Sequence, residues 1–123
     1  MPHAILEYSD NILDDADYVH MFSRLHELLV ETGGCRLQEI KSRVYRVDHY
    51  RVGDGNENNS FAHLTIRVKE GRPPEMLQRM GEAALSLLKE HYSLSLEKQR
   101  CDLTVEIHPM RQDSYFKISS AGN

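Results

Sequence analysis

The sequence carries no surplus of positive charge: 15 lysines and arginines stand against 19 aspartates and glutamates, a formal charge of -4. That balance argues against a dedicated binder of nucleic acid or of an anionic membrane surface. No apolar run approaches membrane-spanning length, and the first residues lack the basic and apolar regions of a secretory signal. Cysteine is scarce. Cys35 and Cys101 lie far apart without metal-ligand spacing around either, so no disulfide framework is expected and both read as reduced thiols of a cytoplasmic protein. The 7 histidines include no i, i+4 pair on a predicted helix, so no metal site is expected. The third strand offers only Phe61, too little for the stacking platform of an RNA-binding sheet.

What is present is an ordinary soluble composition, 40% hydrophobic and 28% charged, over 123 residues. This length suits a single domain, residues 1–123, with a two-layer core. Residues 3–8 (HAILEY) read as a strand bounded by polar SDN. From Asp14 to Thr32 the period becomes helical, with Tyr18, Phe22, Leu25 and Leu29 on one face. Asp14, Asp15 and Asp17 supply capping oxygens at its start, and Gly33 and Gly34 end it. Residues 40–52 predict a second strand, and the turn-forming GDGNENNS follows. FAHLTIRVK alternates as a third strand, with Ala62, Leu64, Ile66 and Val68 facing one way. Pro73 and Pro74 open a second helix that fades near Tyr92, and CDLTVEIH is the fourth strand. The tail from Pro109 has no strong period.

The order β-α-β-β-α-β divides into pseudo-repeats, about 2–52 and 61–108, followed by the tail. Pro2-His3 falls on Ala62-His63, Leu6 on Ile66, Leu28 on Leu88 and Val44 on Thr104. The expected fold is α+β: duplicated βαβ units in a four-stranded mixed sheet, with two helices on one face because each crossover is right-handed. The other face then requires a ligand or a second subunit to cover it.

In such a duplication the start of the first strand lies at the same end of the sheet as the start of the second and the end of the third. Pro2, the pair Lys41 and Arg43, and Arg72 occupy those three places. Removal of Met1 would make Pro2 a secondary amine. Nearby cations and partial burial would lower its pKa toward the range of a general base. Arginine beside it would hold a carboxylate and stabilise charge developing on a carbonyl oxygen. The arrangement suits proton transfer next to a carbonyl or enol in a small anionic carboxylate substrate. Arg36 and Arg46 read as surface charges, and His3 and His63 as structural or interfacial.

MPHAILEYSDNI, IKSRVY and FAHLTIRVKEGRP resemble the 5-carboxymethyl-2-hydroxymuconate isomerases of the tautomerase superfamily, and the likeness covers nearly the whole chain. The resemblance implies a tautomerase-like fold, a cofactor-independent isomerase and a homotrimer with sites near subunit interfaces. It also implies a role in bacterial degradation of homoprotocatechuate. The family's amino-terminal proline maps onto Pro2, its loop arginine onto Arg72, and its basic residues on the second strand onto Lys41 and Arg43. Lys41 departs from the arginine common there, exchanging a bidentate fork for a point charge. Two other readings share the element order. One is a different tautomerase-superfamily activity using the same proline. The other is a non-enzymatic ferredoxin-like module binding a small ligand.

Overall fold

The computed structural model describes residues 1–121. Its elements are β1 (His3–Ser9), α1 (Tyr18–Gly33), β2 (Lys41–Val47), β3 (Asn59–Lys69), α2 (Pro74–His91), α3 (Ser93–Lys98) and β4 (Arg100–Met110). The sheet order is β2-β1-β3-β4. β1 runs parallel to β2 and antiparallel to β3, which runs parallel to β4. This is the mixed sheet of two βαβ halves expected from the sequence.

Alternation on the strands decides which face the helices cover. Ala4 and Leu6 of β1, with Ala62, Leu64, Ile66 and Val68 of β3, point to one side and are buried. Met21, Leu25 and Leu29 of α1 and Met80, Ala84, Leu87 and Leu88 of α2 close over them in one apolar cluster. Burying each of the Leu, Ile, Val and Met side chains stabilises the fold by roughly 1.5–3 kcal/mol relative to leaving it exposed. β4, at the sheet edge, contributes only the half-buried Leu103, Val105 and Ile107. Among the described residues no helix is long and apolar enough to cross a membrane.

The pairing of β1 with β3 matches the repeat. His3 faces Arg67 and Glu7 faces His63, so exchanging the halves maps one pair onto the other. The outer strands depart from the expected alignment. Val44 lies beside Leu6, and Ile107 beside Ile66. Ile107, not Thr104, is therefore the counterpart of Val44. The extra residues of the second half are taken up where α3, absent from the sequence reading, joins α2 to β4.

α3 also changes the role of Asp14. The helical period suggests a helix from Asp14, but α1 begins at Tyr18, where Asp17 Oδ1 accepts a hydrogen bond from the His20 N–H at 3.1 Å. Asp14 caps α3 instead. Its oxygens accept from the backbone N–H groups of Leu94 and Ser95 at 2.9 and 3.0 Å and from the Ser95 hydroxyl at 2.6 Å. β2 is shorter than expected, because its ladder with β1 stops at the Ser9–Val47 pair. The following loop folds on itself: Asp54 Oδ1 accepts from the Asn56 N–H and the Asn59 amide. β4 is longer than expected and reaches Met110.

Asp14→Ala should therefore lower unfolding stability by about 1–2 kcal/mol, the scale of a lost helix cap. In urea unfolding the midpoint should fall with an unchanged slope. A midpoint equal to that of the unmodified chain would show that α3 does not need the cap.

Candidate active site

The sheet topology brings the start of β1, the start of β2 and the ends of β3 and β4 to one end of the molecule. His3 pairs with both Lys41 and Arg67, and the Glu70 N–H donates to the Met110 carbonyl at 3.0 Å. A cleft of about 580 Å3 opens there, with Pro2 and Arg72 in its wall. Pro2 is fully buried, and its carbonyl accepts the Lys41 N–H at 3.1 Å. The residue most strongly placed by the sequence thus has its backbone fixed from the neighbouring strand.

Arg72 follows Gly71, whose φ of +115° lies where only glycine rests without strain. Its guanidinium is held on three sides. Nε donates to the Gly33 carbonyl at 2.8 Å, Nη1 to the Lys69 carbonyl at 3.1 Å, and Nη2 to Cys35 Sγ at 3.6 Å. Each terminal nitrogen keeps one further N–H with no protein acceptor among the described residues. An arginine clamped in this way can present those donors to an anion without losing side-chain entropy on binding.

The turn that ends α1 delivers more of the wall. Gly34, at φ +62°, closes the helix, its N–H bonded to Val30 and the Cys35 N–H bonded to Leu29. Cys35 and Arg36 then enter the cleft, where Lys69 and Lys117 join them. Burial pushes the Cys35 thiol up, and the adjacent Arg72 opposes that shift only in part. Four cations and one carboxylate, Glu39, thus line the cleft. Glu39 is spoken for: Lys117 Nζ lies at 3.0 Å and the Met1 amine at 3.8 Å. The hydrogen bond from Lys117 holds its carboxyl below the usual range. Burial lowers the pKa of the Met1 amine against the pull of Glu39.

Of the four residues singled out by sequence, two share this cleft. Lys41 and Arg43 do not line it. They pair with His3 and Ile5 and stand with them on the helix-free face. Lys41 borders an adjoining groove of about 560 Å3, which shares Arg36, Glu39, Tyr115 and Lys117 with the cleft. Arg43 Nη1 donates to His3 Nδ1 at 3.2 Å. Arg36 is exposed, as a surface charge would be, yet it borders both cavities. Sequence reasoning did not single out Lys69, Tyr115 or Lys117. Lys69 carried a usable signal, because it ends the strand that leads to Arg72. The aperiodic tail carried none.

The model of the 5-carboxymethyl-2-hydroxymuconate isomerase family matches residues 2–121. An Escherichia coli protein, 5-carboxymethyl-2-hydroxymuconate Delta-isomerase, is 35% identical over 95% of this chain and 93% of its own length. The crystal structure of a 5-carboxymethyl-2-hydroxymuconate isomerase from Deinococcus radiodurans R1 superposes with a TM-score of 0.88 at 26% identity, over 97% of this chain and 90% of that one. A fused 4-OT symmetric trimer shares the fold at a TM-score of 0.75 with 11% identity, over 98% and 94% of the two chains. With its duplicated βαβ sheet and a match along nearly its whole length, the chain belongs to the 5-carboxymethyl-2-hydroxymuconate isomerase family of the tautomerase superfamily and is an isomerase.

Proposed function

We propose that the chain, once Met1 is removed, isomerises an anionic 2-hydroxymuconate-type dienol to the conjugated ketone, with the Pro2 nitrogen as general base. The observation that carries this reading is the burial of Pro2 in a cleft whose wall holds four cations, the clamped Arg72 among them. Pro2 takes the proton of the dienol hydroxyl, and the electron pair left on oxygen is delocalised through the diene. The protonated amine then returns the proton to the distal carbon, leaving a ketone. Arg72 meets the negative charge through its unspent N–H groups, and the surrounding cations hold the substrate carboxylates. Lys41 would contact substrate only from the side of the adjoining groove, and Arg43 lines neither cavity.

The same end of the chain sets the pH dependence. Burial already depresses the Met1 amine, and Lys69 and Lys117 add to that effect. A proline amine close by would meet the same burial and cations, both of which disfavour its protonated form. Activity should therefore rise with pH as this amine loses its proton, with a rising limb below the pKa of an unperturbed proline amine. A chain that keeps Met1 holds the Pro2 nitrogen as an amide and should be nearly inactive, as read from the absorbance change of 2-hydroxymuconate ketonisation. Full turnover by folded, Met1-retaining protein of verified mass would remove Pro2 from the mechanism.

Arg72→Ala should lower kcat/KM by about 100-fold or more, the loss of an oxyanion-type donor. Arg79→Ala, an exposed position on α2, should leave it within about twofold. Equal effects from the two would contradict the role of Arg72.

The assembly that fits this reading is a cytoplasmic homotrimer. Lys41 and Arg43 of β2 and Asp102 and Glu106 of β4 put opposite charges at the two unpaired edges of the sheet. Edge-to-edge contact between copies would match those charges and close a ring. The helix-free face also leaves Tyr45 54% exposed, apolar surface that a neighbour would cover. Light scattering at micromolar concentration should give three times the chain mass, and a monomer mass would refute the assembly.

A further inference from the structure

The reading above leaves His3 and Tyr115 without a role in the reaction, and with Arg43 they form one connected line. Arg43 Nη1 lies 3.2 Å from His3 Nδ1, and His3 Nε2 lies 3.0 Å from the Tyr115 hydroxyl. The imidazole and phenol rings meet edge to face, with centroids 6.1 Å apart. Arginine has donors only, so the first contact requires an unprotonated Nδ1. Burial first, then Arg43 and Lys41, lower the pKa of His3, which keeps the ring neutral near pH 7. Its single proton therefore sits on Nε2 and is donated to the Tyr115 oxygen. A hydroxyl that accepts there turns its own hydrogen away from His3. Tyr115 is half-buried and borders both the Pro2 cleft and the adjoining groove.

We propose that Tyr115 is a further catalytic residue, whose hydroxyl donates a hydrogen bond to the substrate oxygen that becomes negative, with Arg43 and His3 as the positioning residues that aim it. This rests on the dienol reaction proposed above. Tyr115 keeps its proton throughout. Pro2 alone removes the hydroxyl proton and returns it to carbon, so the phenol begins and ends the cycle unchanged. Its contribution is a neutral donor in the same cleft as the clamped Arg72, aimed before substrate arrives. The line also explains why an arginine on β2 is directed at a histidine and not into the cleft. Arg43 selects the tautomer, the imidazole orients the phenol, and the phenol meets the substrate.

The test is steady-state ketonisation of 2-hydroxymuconate by the processed protein. Tyr115→Phe removes one oxygen and should lower kcat by about 10-fold or more with KM changed by less than about twofold. His3→Leu should approach that loss, and in the Tyr115→Phe background it should cost less than about a further twofold. His3→Gln, whose amide can still donate to the phenol, should recover part of the rate. Tyr50→Phe lies at the far end of the sheet beside Asp10 and should keep full kcat. Active wild type with Tyr115→Phe at an unchanged kcat, or with a loss confined to KM, would overturn this proposal alone. Equal cost of His3→Leu with and without the phenol would overturn the positioning role. Wild type without turnover would overturn the proposed reaction and this proposal with it.

Discussion

Antiparallel pairing of β1 with β3 is the constraint from which the site follows. It joins the two βαβ halves through their central strands and sends the helices of both to one face. It also sets the beginning of one half against the end of the other half's first strand, His3 against Arg67. The loop leaving β3 therefore carries Arg72 back over the start of β1, where the last turn of α1 offers the Gly33 carbonyl to its guanidinium. A shift of that register by one residue would turn Ala62, Leu64, Ile66 and Val68 out of the core. The apolar alternation of β3 and the position of Arg72 are thus enforced together.

Within the cleft, charge and burial act on the same groups. The excess of cations lies in a chain whose net charge is negative, so it is a local feature and not a reflection of composition. Glu39 keeps that excess from becoming larger. By pairing with Lys117 it draws the tail toward the turn after α1, while Tyr115 fastens the tail to β1 through His3. Two side chains of a segment without regular structure are thereby brought to the wall of the cleft. An interior made only of apolar contacts could not place them there, since Phe116 and Ile118 between and beyond them are almost fully exposed.

The sheet, both long helices and the end of the sheet that bears the site were legible because each rests on a repeated signal. β3 alternates without a break, and the apolar stripe of α1 recurs at helical spacing from Tyr18 to Leu29. The meeting of Pro2 and Arg72 at one cleft was legible for a topological reason, since right-handed crossovers leave one arrangement of strand ends. What could not be read was anything set by a single distant contact. Asp14 looks like a cap for the helix that follows it, and only the folded chain brings the N-terminus of α3 to its carboxylate. Lys41 and Arg43 share a strand face by alternation, but which face they share depends on the register with β1. Tyr115 and Lys117 lie in a tail whose path is fixed by His3 and Glu39, and neither partner advertises itself in sequence.

The exchange symmetry of β1 and β3 has a consequence for how many reactive centres a chain of this design can hold. Duplication reproduces side chains at matching positions, and Ala62 stands buried where Pro2 stands in the other half. A peptide nitrogen bonded on both sides has no lone pair to offer as a base, whatever residue carries it. At that second end the loop after β2 fills the space around Asn59, whose amide bonds to Val52 and Asp54. On the proposed reading, a fold with two equivalent ends keeps one for an amine base and can only pack the other.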